Sequence, residues 1–107
     1  MFSKNEDKKI NELIAAVLLL KNSNEAGRFL RDLLTEFELV EFGNRWKAAR
    51  MLSEKIPYTE IIKDTGLSST TVARVSDWLN GGMGGYKLML KRLNHHHTSF
   101  SVGRSLR

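Results

Sequence analysis

Apolar residues recur at helical spacing along most of this chain, and nowhere do they alternate long enough to suggest a strand. Ile10, Leu13, Ile14, Val17 and Leu18 share one helical face, which predicts a first helix from about Asn5 to Lys21. Ala15, Ala16, Leu19 and Leu20 fill the remaining sides. A helix that is apolar all round must be covered on several faces. A chain of 107 residues has few places to do that, and a second copy of itself provides one. The first helix therefore points to a dimer.

Asn22, Ser23 and Asn24 form a cluster of helix-starting residues. The helix expected after them carries Phe29, Leu30, Leu33 and Leu34 as its apolar side. Thr35 followed three residues later by Glu38 reads as a capping box for a third helix. That helix has Leu39, Phe42, Trp46, Ala49 and Leu52 on one stripe. Gly43 lies inside it, at a cost of about 1 kcal/mol against alanine, which a close helix crossing would explain. Pro57 closes the segment, because proline cannot continue a helix and disfavours helical geometry in the residue before it.

From Tyr58 to Leu79 the pattern is a short helix, a corner at Gly66, and a second helix capped by Ser68. Glycine at the corner supplies the left-handed conformation that ends the first helix. Ile61, Ile62 and Thr65 turn inward from that helix, while Val72, Val75 and Leu79 turn inward from the second, with Trp78 at its edge. Leu67 plugs the corner. Two helices pinned in this way make a helix-turn-helix, expected over about residues 58–80. Four glycines among residues 81–85 then break the chain. A last short helix is expected from Tyr86 to Leu93. Residues 94–107, polar, serine-rich and basic, are expected to be a disordered tail after a single domain over residues 1–93. The fold class is thus all-α, with about six helices.

Charge changes the picture. The chain carries +5, but residues 1–57 hold ten Lys/Arg against nine Asp/Glu, whereas residues 58–107 hold seven against three. The excess sits in the half that contains the helix-turn-helix, and a basic surface attracts phosphate backbones without regard to sequence. The longest apolar run, Leu13 to Leu20, has eight residues, well short of the roughly 20 needed to span a bilayer. The polar, acidic start does not resemble a signal peptide. There are no cysteines, which excludes disulfides and thiol chemistry and suits the cytoplasm.

Burial of Val72, Val75 and Leu79 fixes the opposite face of that helix at 100° per residue. It shows Ser69, Thr70, Ala73, Arg74 and Asp77. Short hydroxyls at the N-terminal end suit close approach to base edges and phosphates, and the helix start offers free N–H groups to an anion. An arginine can grip guanine through two hydrogen bonds or hold a phosphate. The candidate DNA-contacting residues are Lys63, Ser68, Ser69, Thr70, Thr71, Ala73 and Arg74. Asp77 would repel phosphate and is expected beside the interface or paired with Arg74.

The segment Phe42-Gly-Asn-Arg45-Trp-Lys-Ala-Ala-Arg50-Met-Leu52, followed by Tyr58 to Leu79, resembles the Trp-repressor superfamily. It is most similar to the YerC/YecD group of Trp-repressor-like proteins, and the resemblance covers roughly residues 8–93. It implies an intertwined homodimer whose two helix-turn-helix heads read half-sites of double-stranded DNA about one helical turn apart. In the Trp repressor two arginines sandwich the indole of free tryptophan. Arg45 and Arg74 match those arginines. The family has a small glycine and serine where this chain has Val75 and Trp78, so the pocket of Arg45, Arg74, Val75 and Trp78 is expected to be occluded. Core packing accounts for both bulky residues, and free tryptophan is not expected to bind.

Other chemistries lack parts. His95, His96 and His97 are adjacent in an expected tail, with no cysteine or ordered carboxylate to complete a tetrahedral site, so no metal or other cofactor is expected. Ser68, Ser69 and Thr71 have no histidine nearby in sequence. The glycines at 81–85 lack the strand and lysine of a phosphate-binding loop. No enzyme is expected. The competing reading is a helix-turn-helix that binds a protein partner instead of DNA.

Overall fold

The computed structural model describes residues 2–100, with side chains as far as His95. Six helices follow one another: α1 (Lys4–Val17), α2 (Ser23–Leu33), α3 (Glu36–Ser53), α4 (Tyr58–Thr65), α5 (Ser69–Gly81) and α6 (Gly85–Phe100). No strand occurs among the described residues. The all-α class and the count of helices agree with the sequence pattern. The chain divides into two units, residues 1–39 and residues 40–107, with α3 crossing the boundary.

In the first unit local chemistry sets each helix end. Ser3 and Glu6 close a reciprocal capping box on α1, with Ser3 N–H donating to Glu6 Oε1 at 2.9 Å and Glu6 N–H donating to Ser3 Oγ at 3.1 Å. The helix ends at Val17, short of the expected Lys21. Past it the N–H groups of Leu19 and Leu20 reach back only three residues, to the carbonyls of Ala16 and Val17. This tightened turn leads to Asn22, whose side chain accepts the Glu25 N–H at 2.9 Å and starts α2. Thr35 and Glu38 form the second capping box, which starts α3. Neither α1 nor α2 contains a buried residue. Leu18 and Leu19 are 78% and 75% exposed, and Phe37 is 77% exposed. The apolar surface read from the sequence is therefore present and bare in a single chain.

The second unit holds the core. Ala48, Ala49 and Met51 of α3 pack with Ile61 of α4, Leu67 at the corner, and Val72 and Val75 of α5. Trp46, Leu52, Ile56, Ile62 and Tyr86 lie against this cluster. Burying each large aliphatic side chain contributes about 1.5–3 kcal/mol. Ala48 and Ala49 are fully buried in this cluster. Gly43, by contrast, is not explained by such an approach within the chain. A Cβ added there meets nothing within 4 Å.

Two other local findings differ from the sequence reading. α3 ends in a Schellman-type closure in which Ile56 N–H donates to Met51 O at 3.1 Å and Lys55 N–H to Leu52 O at 3.0 Å. The left-handed position of that closure belongs to Lys55, at φ 65°, where glycine would be free of strain. The final helix runs to Phe100, beyond the expected end at Leu93. Residues 94–100 contain neither proline nor glycine, so nothing in the backbone halts the hydrogen-bond ladder. The rest of the expected tail, residues 101–107, lies outside the described residues.

Gly66 ends α4 at φ 73° and ψ 4°, with its N–H bonded to Ile62 O at 2.8 Å. Gly66→Ala finds open space for its methyl group but is strained in that conformation. It is expected to destabilise the protein by about 1–2 kcal/mol, read as a lower denaturant midpoint with an unchanged slope.

Candidate nucleic-acid interface

The corner between α4 and α5 is built by one threonine. The Thr65 side chain is buried, and its hydroxyl donates to Ile61 O at 2.7 Å while accepting the Leu67 N–H at 3.2 Å. This ties the last turn of α4 to the corner and seats Leu67 in the core. One residue on, Ser68 caps α5 by accepting the Thr71 N–H at 3.1 Å, and its hydroxyl donates to Thr71 Oγ1 at 3.0 Å. Val72 and Val75 are fully buried and Leu79 is nearly so. The rotation of α5 about its axis is thereby fixed.

What α5 turns outward agrees with the sequence reading in most respects. Lys63, Ser68, Ser69, Thr70 and Arg74 are exposed, and Thr71 and Ala73 are half-buried. The hydroxyls of Ser68 and Thr71 are engaged in the cap. Those of Ser69 and Thr70 have no partner among the described residues. Helix geometry also leaves the N–H groups of the first turn without intrahelical partners. Arg74 has no ion pair among the described residues, so the expected alternative of pairing with Asp77 is not realised. The outward set is two free hydroxyls, the N–H groups of Ser69 and Thr70 that the Ser68 cap leaves open, and an unpaired guanidinium.

The four residues matched to an indole pocket separate. Val75 is core, as expected. Trp78 is not core: its side chain remains 45% exposed. Its ring instead meets Arg45, whose guanidinium carbon lies 6.0 Å from the Trp78 centroid and 5.6 Å from that of Phe42. Arg45 also pairs with Glu41 at 3.5 Å, and its Nε is buried without a hydrogen-bond partner. Cation–π contacts of this kind contribute about 0.5–2 kcal/mol, more when shielded from water. The indole facing Arg45 thus belongs to the chain itself. Arg74 stays on the outer face of α5 and is not brought into this contact.

A second aromatic pair stands beside it. Trp46 stacks on Tyr86, with centroids 6.3 Å apart and ring planes at 15°. Sequence spacing marked Trp46 as core but gave no sign of Tyr86 as its partner, because the two are joined only when α6 packs back on α3. Burial pushes the Tyr86 hydroxyl above the ordinary tyrosine range, and the positive charge of Arg45 partly opposes the shift. Among the metal candidates, His95 is exposed, and the side chains of His96 and His97 lie outside the described residues. Among the described residues no helix is long and apolar enough to cross a membrane.

Helices α3 to α6 share one core and present a helix-turn-helix at α4 and α5. The model of the family described as Trp repressor protein matches residues 8–94. The chain is 36% identical over 94 residues to the uncharacterized protein YerC of Bacillus subtilis, covering 88% of this chain and 90% of that one. The crystal structure of a TrpR-like protein from Eubacterium eligens superposes with a TM-score of 0.78 at 36% identity, covering 81% of this chain and 90% of that one. A structure of a Trp-repressor candidate from Staphylococcus aureus gives 0.77 at 30% identity, covering 87% and 96%. The protein belongs to the Trp repressor family.

The Tyr86 environment makes a signed prediction. Its folded pKa lies above its unfolded value, so this group leaves stability unchanged at neutral pH. Stability declines as pH rises past the ordinary tyrosine range, where the unfolded chain ionises first. Tyr86→Phe should weaken that alkaline decline. Arg45→Gln removes the opposing charge and should move the Tyr86 step to still higher pH, followed as tyrosinate absorbance in the folded protein.

Proposed function

We propose that this protein is a transcriptional regulator that binds double-stranded DNA as a homodimer, placing the N-terminal end of α5 from each copy in successive major grooves. The observation that carries the reading is the locked rotation of α5. With Val72 and Val75 buried, Ser69, Thr70 and Arg74 are exposed together at the start of one helix. That is the end from which helix-turn-helix proteins contact base edges. The basic balance of residues 58–107 supports attraction to phosphate. The bare apolar surface of α1 and α2 supports pairing with a second copy.

The protein acts by binding and not by catalysis. The hydroxyls of Ser68 and Thr71 serve the cap of α5 and have no base beside them. It works without free tryptophan. The contact of Arg45 with Trp78 supports this, because a ligand indole would have to displace a ring that is already part of the chain.

Selection of bound fragments from a random-sequence duplex pool tests the reading. A palindrome with half-sites about one helical turn apart is expected. An unenriched pool, with binding to proteins that depends little on salt, would favour the protein-interaction reading instead. On the selected site Arg74→Ala is expected to weaken binding by about 1–3 kcal/mol while leaving the thermal midpoint unchanged.

Free tryptophan is expected to leave DNA affinity unchanged in the wild type. Calorimetric titration of Trp78→Ser with tryptophan shows whether removing the ring opens the place beside Arg45. Binding of tryptophan to the wild type would sink the claim of independence.

A further inference from the structure

The side of α5 next to the outward face carries Ser69, Ala73, Ser76 and Asn80, one below another at helical spacing. At the lower end of this line lies a concavity of 330 Å³ that the helix-turn-helix reading does not use. The turn after α3 contributes Lys55, α5 contributes Ser76 and Asn80, and α6 contributes Lys87. Leu79 and Leu90, both buried, lie among its lining. No carboxylate lines it.

We propose that this concavity is an anion site for a phosphate group, with Lys55 and Lys87 as its cations. Three features converge on that assignment. Neither lysine has an ion pair among the described residues. No Asp or Glu occurs after Asp77, so α6 brings positive charge to the concavity without compensation. Lys55 holds a left-handed backbone at φ 65°, a position where glycine would be unstrained. A cation next to the carbonyl end of α3 interacts favourably with the helix dipole, but a lysine one turn earlier would do that without strain. The closure of α3 sets that geometry, and it leaves Lys55 beyond the end of the helix, lining the concavity with residues of α5 and α6.

The polar neighbours fit the same ligand. The Asn80 amide donates to Ser76 O at 2.9 Å and lies 3.5 Å from Ser76 Oγ. The Ser76 hydroxyl therefore accepts and keeps its own hydrogen for an outside acceptor. Lys55 and Lys87 are exposed, so their attraction to an oxyanion is screened by solvent and falls as salt rises. The phosphate can belong to a duplex read by α5, an identification that rests on the function proposed above, or to a free phosphorylated solute.

The full-length chain tests both sources. Inorganic phosphate should raise the thermal midpoint of the wild type relative to chloride at matched ionic strength. The double variant Lys55→Gly, Lys87→Gln should lose that rise. Lys55→Gly alone should keep or raise the midpoint without phosphate, since glycine suits the left-handed position, so a failure to fold is separated from a loss of binding. With a random-sequence duplex, the slope of log affinity against log salt should become shallower by about 0.9 in the double variant if the phosphate is the duplex's. Loss of the phosphate effect with an unchanged slope assigns the site to a free anion. If the chain binds no DNA, the phosphate arm still decides the site. A double variant matching the wild type in both arms overturns the proposal, as does a wild type whose midpoint ignores phosphate and whose slope owes nothing to these lysines.

Discussion

The burial of Val72 and Val75 against α3 and α4 is the constraint on which the rest of the head depends. A helix has one rotational freedom about its own axis, and two adjacent apolar anchors remove it. Everything polar on α5 then has an assigned direction. Ala48 and Ala49, both fully buried, belong to the same core cluster as the two valines. Ile61 and Leu67 close the same core from the other side of the corner. The outward arginine and hydroxyls are a consequence of this packing and need no separate cause.

Much of that head was legible in the sequence because its signals are local. Gly66 with Ser68 two residues on, and valines at fixed offsets, specify helix ends and an inward face within a span of about twenty residues. The capping box at Thr35 and the start at Asn22 were legible for the same reason. Helix limits were less so. The residues after Val17 are as apolar as those before it, and no hydropathy pattern distinguishes a helical turn from the tighter turn that replaces it there. Asn94 onward looked unstructured by composition, yet backbone continuity carries α6 to Phe100.

The contacts that give the site its chemistry were the least legible, because they join residues far apart in sequence. The spacing of Arg45 and Trp78 says nothing of their meeting; only the family resemblance placed both at one pocket, and the packing of α3 and α5 brings them together. The stack of Trp46 on Tyr86 likewise exists only because α6 returns across α3. Lys55 was hidden for another reason. A lysine in a left-handed turn contradicts local preference, and local preference is all that a reading of neighbours can use.

The ring beside Arg45 has one more consequence. A side chain tethered to the backbone cannot diffuse away, and its concentration next to its partner is set by bond lengths instead of by any pool in solution. Occupancy there is decided once, when the chain folds.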